Sequence, residues 1–173
     1  MSEAIVHHFS EDPSIRKFVP HVPATNQGHR AAVWAIDAEH APLYWFPRAC
    51  PRVTVWPRPT DDRSTFDAVW TTTTPRVHVT ESDWLQRMRS TTVYRYDLPA
   101  TAFTPWLDAS GQWIAETTVT PLEVLAIPDL LSEHATAGIE LRFAPSLWAA
   151  HDRAISDDWD FSIVRMGNAH PRP

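Results

Sequence analysis

Glycine, cysteine and lysine are the scarce residues of this 173-residue chain: 4 Gly, 1 Cys and, among 15 basic residues, a single lysine, Lys17. With so little glycine there is neither G-x-G-x-x-G nor G-x-x-x-x-G-K-[ST], so no Gly-rich loop cradles a phosphate. The lone Cys50 excludes an intramolecular disulfide framework and any Cys-cluster zinc or iron–sulfur site, which makes a reducing cytoplasm the expected compartment. Residues 1–8 lack the basic start and long apolar core of a signal peptide, and no run of about 18 apolar residues exists for a membrane span. The formal charge of −6 at pH 7 repels a phosphate backbone, so nucleic acid is not favoured as a partner. The 9 histidines include His7, His8, His21, His29 and His40. No H-x-x-x-H or H-E-x-x-H occurs among them, and no metal site is predicted.

Hydrophobic residues make up 43% of the chain and aromatics 11%, with 9 Trp and 16 Pro. That is enough apolar surface for an ordinary domain to fold without staples. The expected organisation is a single globular domain over residues 1–167, followed by a flexible tail at 168–173. The prolines are spread between short apolar runs and mark turns and element boundaries.

Strands are predicted at 5–9, 31–36, 52–56, 76–80, 92–98, 113–119, 122–127, 139–143 and 161–166. The runs RVTVW, RVHVT and TVYRYDL alternate with period two, the mark of half-buried strands. Helices are predicted at 13–18 after the Asp12-Pro13 cap signal, at 41–46 between Pro42 and Pro47, from a Ser82 cap to Arg89, at 129–137 closed by Gly138, and at 145–154. Residues 21–28 read as a loop. Strands dominate without a regular βαβ series, so the predicted class is α+β: mostly antiparallel, split β-sheets with short flanking helices.

Three segments carry candidate chemistry. In His7-His8-Phe9-Ser10, alternation along a strand lets only one histidine point into a cleft, where it could contact a ribose, bind metal or move a proton. Tyr44, Trp45 and Phe46 spread over most of a helix circumference, so at least one faces a cleft or a partner; beside Arg48 it would suit a flat ring plus an anion. Glu116 follows the Trp113 strand just after a loop, a setting in which packing can hold a carboxylate against developing positive charge. Glu123 lies in a similar setting.

In order and spacing, His8-Phe9-Ser10, the 33–46 strand-to-helix segment and the VYRYDLP–WIAETTVTPLEVL unit resemble the ADP-ribosyltransferase superfamily, in particular its small bacterial members. The chain as a whole also resembles a bacterial family of this size without an assigned function. The superfamily resemblance implies NAD as substrate, bound in a cleft between small sheets, with ADP-ribose passed to an unknown small-molecule or macromolecular acceptor. It implies that His8 contacts a ribose, that Tyr44 stacks on nicotinamide with Trp45 or Tyr96 as substitutes, and that Glu116 is the catalytic carboxylate with Glu123 or Asp108 as substitutes. Ser10 and Arg48 become further contacts to ribose or phosphate. Loss of nicotinamide leaves an oxocarbenium-like ribose, which is why such a site needs a carboxylate. The chain lacks the Ser-Thr-Ser strand motif and the Glu-x-Glu or Gln-x-Glu pair of the superfamily's toxins, which speaks against protein arginine as acceptor. The competing expectations are a noncatalytic nucleotide- or partner-binding domain and a histidine-based metalloenzyme.

Overall fold

The computed structural model describes residues 4–22, 28 and 30–172. Its strands, in chain order, are β1 (Ile5–Ser10), β2 (Val33–Ile36), β3 (Arg52–Trp56), β4 (Val77–Glu81), β5 (Val93–Pro99), β6 (Thr104–Pro105), β7 (Gln112–Ala115), β8 (Glu123–Ile127), β9 (Glu140–Ala144) and β10 (Asp160–Val164). The helices are α1 (Arg63–Trp70), α2 (Leu85–Ser90), α3 (Leu130–Thr136) and α4 (Trp148–Ser156), and a short 3-10 turn spans Ala41–Tyr44. This is an α+β protein, divided into two compact units: Met1–Trp45 with Thr92–Ile127, and Phe46–Thr91 with Pro128–Pro173.

The first unit is built on a six-stranded sheet in the order β6-β7-β2-β1-β5-β8, antiparallel at every junction. The period-two pattern sends Val6, Val33, Ala35, Tyr96, Leu98 and Ala115 to one face, where Phe18, Phe103 and Val119 close a core over them. Phe18 is tied there by backbone bonds in both directions with Val119, at 2.8 and 2.9 Å. That face buries the unit's apolar surface and leaves the other, carrying His7, Phe9, Trp34 and Gln112, for other uses.

The second unit contains a mixed sheet in the order β10-β3-β4-β9, antiparallel except for the parallel β4–β9 pair. Val53, Val55, Val77 and Val79 pack with Phe66 and Trp70 of α1 and with Leu147 and Ala154 of the α4 region. Burying each of the two large α1 side chains stabilises the unit by about 1.5–3 kcal/mol.

Several expectations need correction. No helix forms at 13–18: the Asp12 carboxylate accepts the Ser14 N–H at 2.8 Å and closes a turn, because Ser and Asp satisfy the backbone locally rather than propagate it. The strand predicted to run to Val119 ends at Ala115 in a bend. Ser82 opens a 3-10 turn rather than capping a helix. Helix α1 escaped the pattern reading, although Asp62 caps it through the Ser64 N–H and Phe66 and Trp70 are spaced for one face. Strands β3 and β4 are buried at every position rather than half-buried, because Thr54, His78 and Thr80 on their polar side are covered as well. Most of the predicted 21–28 loop lies outside the described residues.

Candidate functional site

Strands β1 and β5 pair along six residues, from Ile5↔Pro99 to Ser10↔Tyr94, whereas β1 and β2 meet at the single pair His7↔Ile36. Beyond that pair the ladder stops. The His8 ring donates from Nδ1 to the Trp34 carbonyl at 2.8 Å, supplying by side chain the bond that the backbone ladder omits. The opened seam forms a pocket of about 70 Å³ lined by His7, His8, Phe9, Trp34, Ala35, Ile36, Tyr44 and Gln112.

The pocket wall is aromatic. Tyr44, delivered by the 3-10 turn that Pro42 starts, stacks on Phe9 with ring centroids 5.9 Å apart and planes 4° from parallel. Its hydroxyl accepts the Gln112 side-chain amide at 2.8 Å, which sets the ring's orientation. Trp34 meets Trp106 edge to face at 5.5 Å. The first charged groups behind this wall belong to β5. Asp97 sits opposite His7 across the strand pair and accepts its Nδ1–H at 2.8 Å. The same carboxylate is gripped by Arg95 through Nε and a terminal nitrogen, at 2.8 and 3.1 Å. Asp97 is thereby neutralised as an ion pair with Arg95, and His7 is its second side-chain partner.

Of the residues singled out from the sequence, His7, His8 and Tyr44 line this one pocket. Their side chains do not share a face: alternation places the His8 ring on the core side, 4.6 Å from Phe18, and His7 on the Tyr44 side. Ser10 accepts the Asp12 N–H in the turn that follows β1. Trp45 is half-buried and ends the 3-10 turn outside the pocket lining. Tyr96 is wholly buried, its hydroxyl donating to the Asp12 carbonyl and receiving the Ile15 N–H. That corrects its candidacy as a stacking residue, since both ring faces are spent in the core. Arg48 is exposed and belongs to the second unit. Glu116, Glu123 and Asp108 are all exposed and none lines the pocket; Glu116 pairs with Arg30 on the surface. Phe9 and Gln112 were given no role from the sequence, and of the two candidate histidines it is His7, not the His8 that the resemblance implies, whose ring lies on the Tyr44 side. The available signal was strand alternation, which puts His7 and Phe9 together on the face away from Val6.

The second unit holds a different polar cluster. His134 donates from Nδ1 to the Leu130 carbonyl at 2.7 Å, and its Nε2 lies 3.0 Å from Nδ1 of His78. A carbonyl only accepts, so neutral His134 presents a bare Nε2 and His78 donates to it. The far Nε2 of His78 is then a buried acceptor without a partner. Burial holds both rings below the ordinary imidazole range, His134 at about 4 and His78 well below its usual value. Burial also pushes the Cys50 thiol up to about 11, which leaves it protonated and inert. An open hollow of about 380 Å³ beside α1 is lined by Asp61, Asp62, Asp157, Asp158 and Arg58, with Arg58 already paired to Asp61 and Asp158. Among the described residues no three His, Cys, Asp or Glu side chains are grouped to hold a metal ion, and no helix is long and apolar enough to cross a membrane.

A protein-family model matches residues 7–169, and its description is a family of unknown function, DUF6886. No curated protein and no solved structure matches the chain.

Proposed function

Because the chain belongs to that family of unknown function, DUF6886, its own geometry has to suggest its activity, and we propose that its first unit is a nucleotide-binding module that takes the nicotinamide end of NAD in the His7–Tyr44 pocket. The observation that carries this reading is the convergence of Phe9, Trp34, Tyr44 and His7, from β1, β2 and the 3-10 turn, on one opening. A flat heteroaromatic ring fits such a wall because its faces bury against the aromatics while its edge hydrogen-bonds. The enclosed space of about 70 Å³ is well below that of pockets that engulf a whole drug-sized ligand, roughly 300–1,000 Å³. It suits one flat ring seated by its edge in the opening, with the ribose and the rest of a dinucleotide outside it.

ADP-ribosyl transfer would need more. The oxocarbenium-like ribose demands a carboxylate at the reacting carbon, and Glu116, Glu123 and Asp108 are all outside the pocket lining. Asp97 is held by Arg95 and His7. Binding without turnover is therefore the reading the geometry supports best, with transfer to an acceptor as the second.

Titration calorimetry with NAD, run beside an assay for nicotinamide release, tests both. The expected result is saturable binding that Tyr44→Ala weakens about tenfold, the loss of roughly one stacking contact plus its buried area, and no nicotinamide release above the spontaneous rate. Absence of binding would overturn the assignment. Release that depends on the protein would favour transfer.

A further inference from the structure

His7 is the polar group that distinguishes this pocket from a plain aromatic slot. Its side chain is only 10% exposed and Asp97 takes its Nδ1. A carboxylate offers no hydrogen, so in the neutral imidazole the ring hydrogen sits on Nδ1 and the lone pair on Nε2. Arg95 completes the arrangement by holding both oxygens of Asp97, which keeps the carboxylate from turning away. Nε2 has no protein partner among the described residues, and the ring forms part of the pocket lining. A fixed lone pair at the wall of an aromatic pocket makes a ligand donor welcome and a ligand anion unwelcome, since two acceptors would then face each other.

We infer that His7 is the specificity-determining residue of the site: Nε2 accepts a hydrogen bond from an N–H at the edge of the bound ring, selecting a primary carboxamide over the corresponding carboxylate. The inference rests on the NAD-binding reading above and adds the atom that chooses among ring ligands. The chemistry applies equally to a free ring amide and to the amide of a dinucleotide.

The test compares NAD with its deamido form, which carries a carboxylate in place of the carboxamide, and benzamide with benzoate, each titrated at about pH 8, where unperturbed imidazole is neutral. Wild-type protein is expected to bind the amide of each pair at least about tenfold tighter, since the carboxylate leaves Nε2 unpaired and facing an anion. His7→Phe keeps the ring shape and should reduce that preference to less than about twofold. A second measurement needs no variant: two-bond nitrogen–proton correlation spectra of the wild-type imidazoles should place the hydrogen of His7 on Nδ1, with the Nε2 resonance shifting on addition of NAD and not of deamido-NAD. If none of the four compounds binds, the pocket reading fails and the role of His7 with it. If NAD binds but the amide preference is absent, survives in His7→Phe, or comes with a hydrogen on Nε2, the pocket stands and the assignment to His7 is wrong.

Discussion

The carboxylate of Glu116 stands on the surface against the guanidinium of Arg30, each side chain 59% exposed. Exposed pairs of this kind contribute little to stability, and this one is outside the pocket lining. Glu116→Gln should therefore leave the NAD affinity within about twofold of wild type and stability within about 0.5 kcal/mol. A larger loss of affinity in calorimetry would return Glu116 to the binding site. His7 and His8 are adjacent in sequence and equivalent in chemistry, yet His7 faces Tyr44 and Asp97 while His8 packs on Phe18. The sequence contained the alternation, but which parity faces the core depended on Val6, Tyr96 and Leu98 being covered by Phe18 and Phe103.

At the scale of elements, local signals were legible where capping and apolar spacing agreed. Asp129 caps α3 by accepting the Ser132 N–H, and Gly138 takes the left-handed conformation (φ 68°) just past its end. Helix α1 ends instead on Thr71, a β-branched residue held at φ 49°. That conformation costs a non-glycine residue about 1–2 kcal/mol, partly offset by glycine's larger loss of backbone entropy on folding. Thr71→Gly should raise stability by about 0.5–1 kcal/mol in urea unfolding, and Gly138→Ala should lower it by about 1 kcal/mol. A stabilised Gly138→Ala or a destabilised Thr71→Gly would contradict this account of the two helix ends. Strands β3 and β4 show where a pattern misleads. Alternating Val with Thr, His and Arg reads as one wet face, whereas His78, Thr54 and Thr80 hydrogen-bond internally and are dry.

For the molecule as a whole, that dry polar face makes stability depend on pH. His134 is held at about 4 in the folded chain, against 6.5 for an unperturbed imidazole, and burial lowers His78 in the same direction. The unfolded chain therefore takes up protons first as the pH falls, and folding free energy is lost between about pH 6.5 and pH 4. The full shift of His134 corresponds to about 3 kcal/mol. Urea unfolding followed across this window should show the decline, and His78→Gln with His134→Gln should flatten it. An equally steep decline in the double variant would place the proton uptake elsewhere. The chain crosses between its two units three times, after Trp45, Thr91 and Ile127. No composition shift or linker marks those points, because each crossing is an ordinary connection between elements.

By itself the sequence determined the α+β class, most strand positions and the concentration of aromatic and histidine side chains in residues 7–46. Those follow from periodicity, proline punctuation and side-chain chemistry, which act over a few residues. It also singled out His7, His8 and Tyr44, which border one pocket, without deciding which histidine faces Tyr44. Only the tertiary structure decided that β1 and β2 part after His7↔Ile36, that Asp97 from a distant strand sets the tautomer of His7, and that Tyr96 is core while Glu116 stands apart. Each depends on which strands become neighbours, and that choice is made by burying the whole of an apolar face at once.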